Sequence, residues 1–352
     1  MHLACRVSRM ACCLRAGSLC PTTTPAQPWR PAPANRASHW AGTCSSAARG
    51  VAAAASASSE DAPKPLTFVP ERIGFIGAGQ MGEALIRGFL RSKVSSPGRI
   101  CVSVRDVERQ DALERIGIGS IFGDATDGGS KDVAQFSSVI LLCTKPQAMT
   151  EVLQSLAPHV TSEHLVISVA AGITLQTLES ALGEGVRVVR VMPNTPALVQ
   201  CGASAYALGK NVTARDADIV DLLLSSVGFC IAVEEKQLDA VTGLSGSGPA
   251  YVYLMIEAMA DGGVMAGLPR ETALALAAKT VAGAAQMVFG DDGGSNSSSA
   301  LGMVHPGVLK DRVASPAGTT IAGLAELESS GVRGAFIRAV SRAAQRAKEI
   351  GS

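Results

Sequence analysis

Arg72-Ile-Gly-Phe-Ile-Gly77-Ala-Gly79-Gln-Met-Gly82-Glu-Ala-Leu-Ile-Arg87-Gly-Phe-Leu90 decides how the chain is read. A short apolar run of strand length passes into G-x-G-x-x-G and then into a stretch with apolar residues at helical spacing. Each glycine answers a different physical demand. Gly77 lets the chain turn tightly off the strand. Gly79 has no Cβ, so a pyrophosphate can approach the backbone. Gly82 lets the helix pack closely on the strand. The helix start then offers free N–H groups and the positive end of its dipole to phosphates. The expectation is a dinucleotide-binding turn built from Ile76, Gly77, Ala78, Gly79, Gln80, Met81 and Gly82.

Working outward, strand-like runs recur at βα spacing over residues 100–104, 138–143, 165–169 and 187–192. They are rich in Val, Ile and Leu and do not alternate, which indicates strands buried on both faces. Helical segments lie between them, for example at 107–116 and 147–157. The pattern predicts a doubly wound α/β sheet, closed by a helix at 222–227 and a strand at 229–233. In such a sheet the ligand lies at the carboxyl ends of the strands. After the second strand come Arg105, Asp106 and Arg109. An acid there binds the ribose hydroxyls of NAD and an Arg holds the 2′-phosphate of NADP. Both are present, so NADPH is favoured with NADH possible, and Arg105 is the expected contact. The later strand ends add Cys143-Thr144-Lys145-Pro146 and Ala170-Ala171-Gly172, the latter small enough for a flat ring to lie against backbone. Lys145 either faces the ribose or nicotinamide side or is a solvated loop lysine. In Met192-Pro193-Asn194-Thr195-Pro196, Asn194 offers both a donor and an acceptor, for a carboxamide or substrate contact or for holding the turn.

Past Glu234 the strand pattern stops. Residues 237–243, 249–266, 270–288 and 332–350 show helical apolar spacing. The reading is therefore an α/β protein with an N-terminal Rossmann-type doubly wound sheet over 70–234, followed by an all-helical dimerisation domain over 235–352. Tyr251, Leu254, Met255, Ala258 and Met259 form one stripe, suited to core or to a subunit interface. Gly262, Gly263, Ala275, Ala278, Ala282 and Ala285 permit close helix–helix contact. So many apolar and small faces on about 115 residues predict at least a dimer. Residues 291–299 (DDGGSNSSS) read as a surface loop. Two segments are polar in a pointed way. One is Leu244-Ser-Gly-Ser-Gly-Pro-Ala-Tyr251, where Pro249 suits a helix start. The other runs from His305 to Ile321 and reads as a loop that ends at a helix start near Thr319 and Thr320. Free N–H groups plus hydroxyls there make a nest for a carboxylate, against which ordinary capping is the plainer reading.

Composition narrows the classes further. The chain has 352 residues, 47% of them apolar and 17% charged, which excludes global disorder. Its formal charge of +1 gives no basic footprint for nucleic acid. No unbroken apolar stretch of roughly 18 residues suggests a membrane span, and no metal cluster is expected. The first 59 residues read differently: six Arg, no Lys, no acid, five of the nine Cys and both Trp. An Arg-rich, Ser-rich, acid-poor leader over 1–65 has the composition of an organelle transit peptide, plastid favoured over mitochondrion, with the cytoplasm as the location if it is no targeting signal. Without residues 1–59, 25 basic residues stand against 30 acids, a net of −5. The four later cysteines, Cys101, Cys143, Cys201 and Cys230, are expected as free thiols in apolar surroundings.

The runs Val191-Met-Pro-Asn-Thr-Pro196, Asp239-Ala-Val-Thr-Gly-Leu-Ser-Gly-Ser-Gly-Pro-Ala-Tyr251 and residues 305–328, with Ser315-Pro-Ala-Gly-Thr-Thr320 inside the last, together resemble the delta-1-pyrroline-5-carboxylate reductase family. The resemblance spans about 72–350 and leaves the leader outside. It departs around 124–130, where the family often contacts the adenosine side, and at the longer 291–299 loop. It implies hydride transfer from NAD(P)H to the C=N carbon of 1-pyrroline-5-carboxylate, giving L-proline. It also implies that Thr320 hydrogen-bonds the ring nitrogen. Backbone groups of Ser315, Gly318, Thr319 and Thr320 would hold the carboxylate, on a loop supplied by a partner subunit of a homodimer or higher oligomer. A protonated cyclic imine is already electrophilic, so positioning can carry most of the acceleration. His305 is a tempting acid, but a loop His before Pro is more often a structural hydrogen-bonder. Hydroxyacid dehydrogenases of the 6-phosphogluconate type share the opening turn. They need a Lys after the second glycine-rich segment, and here no Lys or Arg follows Gly248 until Arg270.

Overall fold

The computed structural model describes residues 72–123, 128–290 and 303–351. The leader, most of the family departure at 124–130 and the loop at 291–299 lie outside the described residues. The strands are β1 (Ile73–Ile76), β2 (Ile100–Ser103), β3 (Ser120–Phe122), β4 (Val139–Leu142), β5 (Leu165–Ser168), β6 (Arg187–Met192), β7 (Gly202–Leu208) and β8 (Gly228–Ala232). The intervening helices are α1 (Gln80–Arg91), α2 (Val107–Arg115), α3 (Gly128–Phe136), α4 (Met149–Leu156), α5 (Leu175–Leu182) and α6 (Ala214–Ser225). Among the described residues these strands form one sheet in the order β3-β2-β1-β4-β5-β6-β7-β8. The first six in that order run parallel; β7 joins β6 antiparallel, and β8 pairs parallel with β7. The order reverses between β1 and β4, so the switch point of the sheet lies beside the glycine-rich turn.

Why these segments are strands follows from burial. β1, β4 and β5 are buried at every position, with helices covering both faces. Two apolar layers result. One packs Phe75, Leu85, Ile86, Phe89 and Val220. The other packs Ile140, Leu142, Met149, Leu156 and Leu178 on the opposite face. The expected strands are present, and two more add to them. β3 is three residues long, and β7 is made of Gly, Ala, Ser, Tyr and Leu, a composition low in β-propensity. β7 is nonetheless held between neighbours on both sides, with Tyr206 and Ala207 buried. The helix expected at 222–227 begins earlier. Thr213 and Asp216 form a reciprocal capping box that starts α6 at Ala214.

After β8 the chain is helical: α7 (Leu238–Val241), a π-helical turn over Thr242–Gly246, α8 (Gly248–Met265), α9 (Arg270–Val288), α10 (Pro306–Val313), α11 (Thr319–Ser329) and α12 (Val332–Gly351). One expectation is corrected here. Residues 305–318 are not loop throughout, since α10 occupies eight of them with Pro306 in its first turn. α8 and α9 pack on each other around Ala260, Ala273 and Ala277, and a Cβ on Gly263 would meet Ala273 at 3.1 Å. Of the small residues expected to make that contact, Gly263 does so. Ala275, Ala278, Ala282 and Ala285 are exposed, on the other side of α9. Leu254 (68% exposed), Met265 (90%), Leu327 and Ile337 likewise face outward. A chain that leaves these unburied has an apolar surface beyond what a monomer ordinarily shows.

Candidate active site

The turn after β1 separates the three glycines by physical cause. Gly77 has φ +89°, and a Cβ there would lie 2.8 Å from Thr144 Cγ2. Only glycine adopts this without strain. A Cβ on Gly82 would sit 2.8 Å from the Gly77 carbonyl and 3.1 Å from Cys143 Cβ, so α1 can lie against the β4 end only without one. Gly79 is different. A Cβ there would meet nothing nearer than Cys143 O at 3.9 Å. Among the described residues nothing requires glycine at 79, and the space in front of its backbone is open to a ligand. Gly79 is also the N-cap of α1 and offers no side-chain cap, so the first-turn amides of Gln80, Met81 and Gly82 are left for a ligand. The residues present therefore fit a dinucleotide pyrophosphate. Beside the turn, Thr144 Oγ1 is buried without a hydrogen-bond partner, a group that a ligand hydroxyl or phosphate would satisfy.

The region after β2 carries more built structure than the sequence indicated. Asp106 is the N-cap of α2, its side chain accepting from Glu108 N at 3.0 Å. Arg105 lies in an exposed ion pair with Glu151 at 3.0 Å. Arg109 donates to the Ala78 carbonyl at 2.9 Å and lies 3.6 Å from Glu83 and 3.8 Å from Asp106. Its guanidinium ties the glycine-rich turn to α2. That role has no local sequence signal, because it depends on the turn and α2 meeting across the sheet.

Further along the strand ends, Cys143 is buried and its N–H bonds Ile76 O at 2.8 Å, which locks the turn to β4. Burial pushes its thiol up to about 12. The Cys101 thiol is likewise pushed up to about 12, chiefly by burial. Lys145 is exposed, and Pro146 begins a short 3₁₀ turn that leads into α4. Ala170 is buried, and Gly172 has φ +80°. A Cβ on Gly172 would strike Ile350 Cγ2 at 2.8 Å and approach Gly351 N at 3.3 Å, so the end of α12 seats on this loop. Cys201 is exposed, which corrects the core reading for that cysteine.

Asn194 is 6% exposed. Its Oδ1 accepts from Ala203 N at 2.8 Å and its Nδ2 donates to Ser245 O at 3.1 Å. The amide bridges two backbone segments, the geometry of the turn-holding alternative. His305 is the N-cap of α10, its Nδ1 accepting from Gly307 N at 3.1 Å. It serves as the structural hydrogen-bonder.

Ser315, Gly318, Thr319 and Thr320 come together at the start of α11. Gly318 is the N-cap with no side-chain cap, and Ala317 adopts φ +56° to make the bend. Gly318 N bonds Ser315 O at 3.1 Å, while the Ser315 hydroxyl occupies the place a Gly318 Cβ would take. The amides of the first turn of α11 are left without helical partners, next to two threonine hydroxyls. α11 packs chiefly on α12, and its own Ile321 and Leu327 are exposed. Among the described residues no group of His, Cys, Asp and Glu could hold a metal ion, and no helix is long and apolar enough to cross a membrane.

Comparison with known proteins follows the same two halves. Residues 235–350 match the family described as pyrroline-5-carboxylate reductase dimerisation. Residues 72–172 match the family described as NADP oxidoreductase, coenzyme F420-dependent. A pyrroline-5-carboxylate reductase of Methanosarcina acetivorans is 47% identical over 282 residues, 80% of this chain and 98% of that protein. One from Glycine max is 47% identical over 287 residues, 81% of this chain and 98% of its own length. A solved Coxiella burnetii pyrroline-5-carboxylate reductase superposes with a TM-score of 0.70 at 33% identity, covering 81% of this chain and all of that one. A Plasmodium falciparum pyrroline carboxylate reductase, solved with NADP bound, gives 0.68 at 31% identity over 80% of this chain and 98% of its own. With relatives at up to 47% identity matched over nearly their whole length, the chain belongs to the pyrroline-5-carboxylate reductase family.

Proposed function

We propose that the chain reduces 1-pyrroline-5-carboxylate to L-proline with NADPH, NADH being the alternative donor. The observation that carries this reading is the match at 47% identity over 98% of reductases such as that of Methanosarcina acetivorans, which takes in both the glycine-rich turn and the 315–320 nest. When bound, NAD(P)H supplies the hydride that, with one proton, turns the C=N bond into CH–NH. The chain's own residues bind and orient. Gly77, Gly79, Gly82 and the first-turn amides of α1 cradle the pyrophosphate, with Ile76, Ala78, Gln80 and Met81 forming the turn around them. Arg105 faces the adenosine ribose and its 2′-phosphate. Residues 143–146 and 170–172 line the ribose and nicotinamide side. Ser315, Gly318 and Thr319 hold the substrate carboxylate through backbone N–H groups and hydroxyls. The Thr320 hydroxyl hydrogen-bonds the ring nitrogen. Asn194 supports the site by holding the loop after β6 rather than by touching substrate.

The division at 234/235 follows the change from strands to helices. The assembly is a homodimer or a higher oligomer built from dimers, in which the outward apolar faces of α8, α9, α11 and α12 are covered. The leader over 1–65 is an organelle transit peptide, plastid favoured, supported by its Arg-rich, acid-free composition and by relatives from plants such as Glycine max. The site is tested by Thr320→Ala. The expected result is loss of turnover of about a hundredfold with NADPH affinity within about twofold of wild type. Turnover near the wild-type level would remove Thr320 from this role.

A further inference from the structure

Arg190 is the charged side chain that the reaction does not use and the sequence reading passed over. It lies in the middle of β6, 6% exposed. Its guanidinium reaches Glu235 at 3.1 Å and Asp239 at 3.5 Å, both at the start of the helical region. Glu235 also accepts from Leu175 N, the first amide of α5, at 2.6 Å. One buried cation thus joins three segments: β6, the entry to α5 just after the 170–172 loop, and the first turns that follow β8. Four residues on, Asn194 adds the second bond from the β6 end to Ser245 O at 3.1 Å. Between these polar contacts the chain packs closely, against a flexible side chain on one side and against backbone on the other. A Cβ on Gly246 would lie 2.5 Å from Met192 Cε, and one on Gly243 would lie 2.6 Å from Val340 O. The π-helical turn is therefore wedged between the end of β6 and α12. α12 carries α11 at one end and seats on Gly172 at the other.

The Arg190 guanidinium is buried while its carboxylate partners are 32% and 30% exposed, so solvent screening of the acids and desolvation of the cation leave the pair a weak device for stability. An apolar side chain of similar size in β6 would pack as well. What the charge supplies is direction: a planar fork that two carboxylates on a different segment must meet in one register. We propose that Arg190, through Glu235 and Asp239, is a positioning residue that sets the register of the helical region against the 170–172 loop, and with it the distance over which hydride is transferred. This rests on the reductase reading above. It holds whether the nest on α11 serves its own cofactor turn or that of a second copy, since the same register fixes both.

The test is Arg190→Met in the full chain, read by steady-state kinetics, NADPH titration and hydrogen exchange. The expected result is kcat for 1-pyrroline-5-carboxylate down about ten- to a hundredfold, as for a small misplacement of reactants. NADPH affinity stays within about twofold, and amides of 238–246 exchange faster while β1 and β4 do not. Arg190→Lys, a point charge without the fork, restores only part of kcat. Unchanged kcat, lost NADPH binding, or unchanged exchange at 238–246 would each overturn the proposal. Should Arg190→Met fail to fold, Glu235→Gln keeps the volume and removes the charge. The same pattern at smaller amplitude is expected there, and wild-type kcat with wild-type exchange overturns the proposal. Exchange needs no substrate, so a wild-type protein inert towards 1-pyrroline-5-carboxylate would defeat the reductase reading while the junction is still decided.

Discussion

At the residue scale the three glycines of the turn make separable predictions, because each excludes a side chain for a different reason. Gly79→Ala adds a Cβ that meets nothing nearer than 3.9 Å, at φ −63°, which any residue adopts. The fold should be unchanged within about 0.5 kcal/mol, while NADPH binding weakens about tenfold or more as the methyl occupies the pyrophosphate's place. Gly82→Ala should behave in the opposite sense. Its Cβ meets backbone at 2.8 Å, so stability falls by about 1–3 kcal/mol. Paired melting curves and fluorescence titrations decide the matter, and equal effects at both positions would refute the distinction. The cysteines give a pH prediction. Cys101 and Cys143 have thiols raised from 9.0 to about 12 by burial, so they hold their protons through the range in which an ordinary thiol ionises. Alkylation at pH 9 should label the exposed Cys201 first and leave these two unmodified until the protein unfolds. The same shift has a sign for stability. Unfolded thiols ionise above pH 9 while the folded ones cannot, so the folded state loses ground as pH rises from 9 towards 12. The glycine turn was legible from sequence because its demands are local. The turn-holding use of Asn194 was one of the two readings its amide allowed, whereas the ties made by Arg109 and Arg190 were not legible, because each depends on segments brought together only by the sheet.

At the element scale the legible strands were the unbroken apolar runs of β1, β2, β4, β5 and β6, with β8 beside them, and the legible helices were those with clear helical spacing, such as α1, α2, α4, α8, α9 and α12. β3 escaped because three residues carry no period. β7 escaped because Gly202-Ala-Ser-Ala-Tyr-Ala-Leu208 has the composition of a loop and is a strand only through its pairing with β6 and β8. α10 escaped because Pro306 and Gly307 read as a turn, although Pro is at home in a first helical turn and His305 caps it. The start of α6 was misplaced because its first turn is polar. That turn is fixed by the Thr213–Asp216 capping box and by Arg187, 2.6 Å from the fully buried Asp216 carboxylate. Asp216→Ala removes both and leaves the Arg187 guanidinium with the Glu163 carbonyl, to which it donates at 2.6 Å. A loss of roughly 3 kcal/mol in denaturant unfolding is expected. A loss below about 1 kcal/mol would mean that α6 is held by its apolar face alone.

At the scale of the whole molecule the apolar stripe 251–259 was read as core or interface, and the structure decides between the two in favour of a surface. Leu254 is 68% exposed, and the groove between α8 and α9 is lined by Ala250, Tyr253, Leu254, Ile256 and Leu274, with Glu257 as its charged member. Covered by a second copy, these residues become the core that the helical region lacks on its own. Sedimentation equilibrium should find a dimer or a multiple of dimers. Leu254→Glu should shift the protein towards monomer, and on the proposed reading, in which the start of α11 serves a partner's site, lower activity with it. A fully active monomer would contradict the assembly. The central claim is tested most directly by mixing the purified protein with NADPH and following its oxidation before and after 1-pyrroline-5-carboxylate is added. Oxidation is expected only after the addition, with L-proline formed in equal amount. NADPH that binds, yet is not oxidised when 1-pyrroline-5-carboxylate is supplied, would contradict the claim.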